Sequence, residues 1–223
     1  HFELLQLKDH LNSVKSQLND FPIEDWSLHT RKRNPAGEVQ WKLRSKYNAE
    51  FVTQAWCKMF ECLCNYDLVN VSSDQKEFNS LHLCEAPGAF IAALNHFLRT
   101  KFKNLKYNWM ATTLNPYYEG NEVSNMILDD RLILHTFDKW HFGSDFTGNI
   151  MDIKNINSLK NKCENIQPIT LITADGSIDC VQIPQEQENK VADLHIYEVL
   201  TALLILEKSG NFIIKMFTFF ECS

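Results

Sequence analysis

Residues 81–90 read LHLCEAPGAF: an apolar run, then an acid, a proline and a single glycine, after which a second apolar stretch, IAALNHFL, begins. A buried strand that ends on Glu85 and turns at once into a helix is a strand-turn-helix unit, the element from which parallel sheets are wound. Outward from it, β-rich runs recur at 107–112 (YNWMAT), 131–134 (RLIL), 169–174 (ITLITA) and 211–216 (NFIIKM), separated by helical or mixed segments. A helix is predicted from about Val191 to Lys208, with Leu194, Val199, Ala202 and Leu206 among its apolar positions. Near-continuous apolar strands alternating with helices imply a sheet covered on both faces. The expected fold is therefore α/β, a doubly wound and mostly parallel sheet, preceded by a helical extension.

Upstream, Leu4, Leu7, Leu11, Val14 and Leu18 repeat at a 3-4-3-4 spacing and form one stripe on a helix. The stripe is expected to pack on the body of the domain, with a coiled-coil contact as the alternative. Residues 22–46 are polar, contain Pro35 and Gly37, and read as an irregular connector. A second helix is expected from an Asn48 N-cap to Asn65, with Phe51, Ala55, Met59 and Leu63 on one face and Lys58 at its border. The division is residues 1–46, helix and basic connector, then residues 47–223, one sheet domain.

Hydrophobic residues make up 44% of 223 and fifteen are Phe, which supplies a core and argues against disorder. Apolar runs such as 199–206 (VLTALLIL) are far shorter than the ~20 residues that span a bilayer, so no membrane association is expected. Seven Cys without a CxxC pair read as core thiols of a reducing compartment, with no metal site. The net charge of −6 does not favour indiscriminate nucleic-acid binding. It is unevenly placed, however: Arg31, Lys32, Arg33, Lys42, Arg44 and Lys46 share a segment with a single acid, Glu38. That run is either a solvated face or a phosphate-binding patch, in which Trp41 or Tyr47 could stack on a base.

Ligands of a doubly wound sheet bind beyond the carboxyl ends of its strands. Glu85 and Gly88 follow the first predicted strand, Asp175 and Gly176 (TADGS) the fourth, and Lys215 stands in the fifth, so three distant segments should converge on one edge. The turn lacks the GxGxxG that cradles a pyrophosphate, because Pro87 and Ala89 occupy the places of further glycines, and this disfavours a nicotinamide oxidoreductase. A strand-end carboxylate beside one glycine suits a ligand carrying an ammonium, such as S-adenosylmethionine, or is simple architecture.

LHLCEAPGAF followed by TADGS and IIKMFT resembles the FtsJ-like, RrmJ-type ribose 2′-O-methyltransferases, and among them the branch that acts on capped mRNA. HLCEAPGAFIAALNHFL, TTLNPYYEGN, MILDDRL, WHFGSDFTGNI, ITADGSIDC and the terminal KMFTFFECS carry that likeness, from about residue 48 onward. The resemblance implies a Rossmann-like methyltransferase fold, S-adenosylmethionine as donor with no metal, and a Lys-Asp-Lys-Glu tetrad. Lys58 in TQAWCKMFE, Asp175 and Lys215 match its first three members. It further implies donor contacts from Glu85, Pro87, Gly88, Ala89, Phe90, Thr113, Asn115, Asn149 and Asp175, and capped-RNA contacts from Arg31, Lys32, Arg33, Lys42 and Arg44. The implied substrate is 5′-capped mRNA, and by extension small capped RNAs, methylated at the second transcribed nucleotide (cap 1 to cap 2), inside the cell in nucleus or cytoplasm. A catalytically silent RNA-binding module on the same fold is the alternative. Two departures stand out. Asn149 in FTGNI occupies a position where the family usually has Asp; Asn still accepts a bond from an adenine amine, with a weaker hold on the donor as the expectation. The tetrad's Glu would follow a further strand, beyond Ser223, so the chain is expected to be a fragment lacking the last strands.

Overall fold

A computed structural model describes residues 2–72, 74–178, 180 and 187–217. Four parallel strands, β1 (Glu77–Leu83), β2 (Lys106–Ala111), β3 (Leu171–Ala174) and β4 (Asn211–Ile214), lie in the order β2-β1-β3-β4. Pairing runs from Glu77↔Lys106 to His82↔Ala111 between β1 and β2, and from Ser80↔Leu171 to Leu83↔Ala174 between β1 and β3. The chain moves from β1 outward to β2, then crosses back over β1 to β3. Strand order therefore reverses between β1 and β3, where an open α/β sheet presents its crevice.

Alternate residues of each strand feed two cores. Phe78, Leu171 and Ile213 face α4 (Gln54–Asn65) and α5 (Ala89–Lys101), where Trp56, Met59, Leu63, Leu94 and Leu98 are buried. Leu81, Leu83, Ile172, Ala174 and Ile214 face α7 (Ile153–Cys163) and α8 (Gln187–Ile205). Two-sided burial explains why β1 is buried in all but its first residue, its polar Asn79, Ser80 and His82 included.

The doubly wound α/β expectation holds, and several local expectations change. The run 131–134 is not a strand but lies in the helix α6 (Arg131–His135). A four-residue apolar run has no period of its own, and here one wholly buried residue, Ile133, joins Ile91, Trp109, Ala111, Trp140 and Phe142 over the outer flank of β2. His135, which follows that run, is exposed at the end of α6. The basic connector is not irregular: it folds as α2 (Ile23–Arg33) and α3 (Gly37–Tyr47), separated by Pro35. Asn48 ends α3 in the left-handed conformation (φ 48°), and Thr53 caps α4 by accepting the Trp56 N–H at 3.1 Å. The stripe of α1 (Phe2–Ser16) is not packed on the sheet domain: Leu4, Leu7, Leu11 and Val14 are all exposed, and neither α1, α2 nor α3 contains a buried residue. Among the described residues, Cys163 and Cys180 are buried core thiols, whereas Cys64 is exposed and Cys57, Cys62 and Cys84 are partly covered. Cys222 and the rest of the terminal motif, residues 218–223, lie outside the described residues. No described helix is long and apolar enough to cross a membrane.

Candidate active site

The turn after β1 is ordered by Glu85. Its side chain is buried, and Oε1 accepts the N–H groups of Phe90 and Ile91 at 2.8 and 3.0 Å, in the first turn of α5. Gly88, immediately before α5, has φ +109°, and a Cβ there would fall 2.1 Å from Leu132 Cδ2 of α6. The acid of LHLCEAPGAF is thus a helix cap supplied from the preceding strand. Burial, reinforced by the nearby charge of Asp175, pushes the Glu85 carboxyl up to about 8. Glu85 Oε2 stands 3.7 Å from His82 Nδ1, but burial holds that imidazole down at about 3, so the pair carries no ionic attraction at neutral pH. His82 instead joins a buried polar seam across the sheet. Its Nδ1 meets Thr173 Oγ1 at 2.7 Å, and its Nε2 meets Ser80 Oγ at 2.7 Å and Tyr107 Oη at 2.9 Å.

The flank beside β2 is two loops bonded into one. Asn115 donates from Nδ2 to Phe146 O at 2.7 Å and accepts the Tyr117 N–H at Oδ1, while its own N–H reaches Thr147 O at 2.9 Å. Asn121 Nδ2 donates to Asn115 O and Thr147 O. Gly148 (φ +75°) permits this approach, since a Cβ there would lie 1.9 Å from Thr113 O. Asn149 Oδ1 accepts the Met151 N–H at 3.0 Å, which leaves one lone pair and the amide N–H₂ for other partners. Asp145 is not a free acid in this loop: it accepts bonds from Thr147 and Asn155, and these hold its carboxyl below the usual range.

Asp175 and Lys215 stand at the ends of β3 and β4, and Lys58 of α4 is near enough for its charge to act on both. Lys215 leaves the sheet with its N–H bonded to Ala174 O at 2.9 Å, which sets it beside Asp175. Burial lowers the Lys215 ammonium below its ordinary value, and the positive charge of Lys58 lowers it further, against the opposing pull of Asp175 and Glu198. Asp175 is raised by burial and lowered in turn by Lys215 and Lys58. Lys215 Nζ lies 3.4 Å from the centre of the Phe217 ring, and that ring stacks on His195 of α8.

Glu198 is the site residue missed in the sequence. It is fully buried on α8, and its Oε1 accepts the Gly176 N–H at 3.0 Å, directly after Asp175. Its position between Leu194 and Ala202, four residues from each, placed it on the buried stripe, and a buried acid is rare without a partner. The basic run lies away from this burial: Arg31, Lys32 and Arg33 close the exposed last turn of α2, Lys42 pairs with Glu38 at 2.9 Å, and Arg44 donates to Val52 O. Among the described residues, no group of His, Cys, Asp and Glu is arranged to hold a metal.

The glycine-containing turn, Asp175 and Lys215 thus stand at the carboxyl ends of parallel strands, where a doubly wound α/β protein binds its ligand. Residues 51–223 match the FtsJ-like methyltransferase family, and the chain belongs to that family. The chain is 54% identical over its whole length to the cap-specific mRNA (nucleoside-2′-O-)-methyltransferase 2 of Drosophila melanogaster, covering 32% of that protein. It is 50% identical over 100% of its length to the protein of the same name from Danio rerio, covering 30% of it. It is also 32% identical over 93% of its length to a probable methyltransferase of African swine fever virus, covering 50% of that protein. The chain therefore spans about a third of the length of the cap-specific relatives it matches.

Proposed function

We propose that this domain transfers a methyl group from S-adenosylmethionine to the ribose 2′-hydroxyl of a cap-proximal nucleotide of 5′-capped mRNA, the second transcribed nucleotide in preference. The observation that supports the reading is the placing of Asp175 and Lys215 side by side at the ends of β3 and β4, with the Lys215 ammonium lowered by burial and by Lys58. The substrate class rests on the names of the relatives.

The crevice suits the donor. Gly88 turns the chain with positive φ at the reversal point, its side-chain space being filled by Leu132, and Asp175 supplies a partly exposed carboxylate for an ammonium. When bound, S-adenosylmethionine supplies an electrophilic methyl on a positively charged sulfur, which leaves as a neutral thioether. Gly88 and its neighbours Pro87, Ala89 and Phe90 would hold the methionine end, and Thr113, Asn115 and Asn149 the nucleoside end. Because Asn115 and Glu85 already satisfy the local backbone, their part is to shape the walls.

A ribose hydroxyl is a weak nucleophile, so the protein must align it and take its proton. Lys215 Nζ is the acceptor of that proton; its lowered ammonium provides more of the free amine near neutral pH than an ordinary lysine would. Asp175 orients Lys215 and the hydroxyl. Lys58, exposed on α4, favours the unprotonated form of Lys215 and meets the nucleotide's sugar or phosphate. Arg31, Lys32, Arg33, Lys42 and Arg44 follow the phosphates.

The test is methyl transfer by the full-length protein to a short capped RNA, with the modified nucleotide mapped by mass spectrometry. A 2′-O-methyl group on the second transcribed nucleotide is expected, with a rate that rises with pH as Lys215 loses its proton. Donor binding without any transfer would favour a silent RNA-binding module, and methylation of a base would overturn the reading.

A further inference from the structure

The turn that carries Asp175 is held from below by a helix. Asp175 N–H reaches Leu83 O at a long 3.4 Å, whereas Gly176 N–H meets Glu198 Oε1 at 3.0 Å, so the shorter backbone anchor of this turn is a side chain of α8. The fit is close: a Cβ on Gly176 would lie 2.4 Å from Glu198 Oε1 and 2.9 Å from Leu194 Cδ2. Glu198 Oε2 is buried without a hydrogen-bond partner. One turn earlier on α8, His195 stacks on the Phe217 ring that lies under Lys215 Nζ. One face of α8 thus underlies both members of the Asp175–Lys215 pair.

We propose that Glu198 is a positioning residue for methyl transfer: it fixes the Asp175–Gly176 turn through the Gly176 N–H, and its carboxylate adds a negative charge behind Lys215. The proposal rests on the reading of Lys215 as proton acceptor. Glu198 touches neither hydroxyl nor donor; it acts through Asp175 and Lys215. A buried carboxyl held by the Gly176 N–H, with the Cys84 thiol beside it, is a costly anchor where an amide would accept the same N–H. Its distinguishing property is charge.

The groups facing Glu198 are Cys84 at the end of β1, Asp175 at the end of β3 and Lys215 at the end of β4, with His195 on its own helix. Burial and Asp175 hold the Glu198 carboxyl up at about 7, against the pull of the Cys84 thiol, the Gly176 N–H and Lys215. Above that pH it is ionised, and its charge keeps the proton on Lys215. Glu198→Gln retains an acceptor for Gly176 and removes the charge. Lys215 then loses its proton at lower pH, so the rising limb of the rate against pH moves toward acid.

Three variants of the full-length protein test this with a short capped RNA. Glu198→Ala should lower kcat by about 10- to 100-fold while KM for the methyl donor changes less than about threefold. Glu198→Gln should restore most of that loss and shift the rising limb acidward, which a purely structural residue would not do. Gly176→Ala should lower kcat in the parent and add little in the Glu198→Ala background, because both changes loosen one contact. Wild-type kcat in Glu198→Ala, or an unmoved limb in Glu198→Gln, overturns the proposal while the wild-type protein remains active. Absence of transfer by the wild-type protein overturns the functional reading itself. If Glu198→Ala does not fold, the limb in Glu198→Gln decides.

Discussion

Trp56, Met59 and Leu63 of α4 are buried against α5, whereas the three helices that precede α4 contain no buried residue, Leu43 of α3 alone resting partly covered on that core, although α1 carries a leucine stripe as regular as any in the chain. Periodicity tells a helix which face is apolar; only a neighbouring surface of the right shape decides whether that face leaves water. The sheet domain also buries ionisable groups, Glu85, His82 and Glu198, whose proton affinities are displaced by burial. The charges of α2 and α3 remain in solvent. Burial therefore displaces proton affinities within the sheet domain, whereas the charges that precede α4 are screened by water.

The comparison can be strained at several points. Lys215→Ala should reduce methyl transfer about a thousandfold while donor binding and melting temperature stay close to wild type, measured by radiolabel transfer and calorimetry. Leu94→Ala, in the centre of α5, should cost about 3 kcal/mol in denaturant unfolding, whereas Leu7→Ala on α1 should cost less than about 0.5 kcal/mol.

A third test uses pH. The Glu85 carboxyl holds its proton up to about 8 in the folded chain against an ordinary value of 4.5. Its favourable contribution is therefore complete below pH 4.5 and is lost as pH rises through 8. Glu85→Gln keeps the acceptor for Phe90 and Ile91 and removes that loss. Between pH 5 and pH 8 the wild type should lose roughly 2 to 3 kcal/mol more stability than the variant. Equal slopes would mean that Glu85 ionises freely. Charge reversal at Arg31, Lys32 and Arg33 should have the smallest effect on the fold and weaken capped-RNA binding about tenfold, with a shallower salt dependence by fluorescence anisotropy. Unchanged affinity would assign that run to the solvated face.

The strand-turn-helix at residues 81–98 and the parallel strands near 107–112, 169–174 and 211–216 are legible because the sheet is covered on both faces, most completely at β3, and its strands stay rich in apolar residues. RLIL was misread for the same reason: four apolar residues do not distinguish a strand from one turn of helix, and the outer flank of β2 decided it. Residues 22–46 look irregular because their helices contain no fully buried residue and leave no amphipathic pattern. At the site, a shared strand direction was enough to bring Asp175 and Lys215 to one edge. Glu198 was invisible because its partner is a backbone N–H 22 residues away, and a backbone group has no letter in the sequence.

The junction of Asn115 with the 146–148 loop carries a consequence for anyone reshaping this protein. Asn115, Asn121 and Gly148 lock two segments that are distant in sequence into a single wall. Such a wall cannot be lengthened or shortened on one side alone: grafting a foreign loop at 113–121 leaves the bonds of 146–149 without their counterparts. The two segments form one inheritable part, and recombination that separates them should fail more often than recombination that moves both.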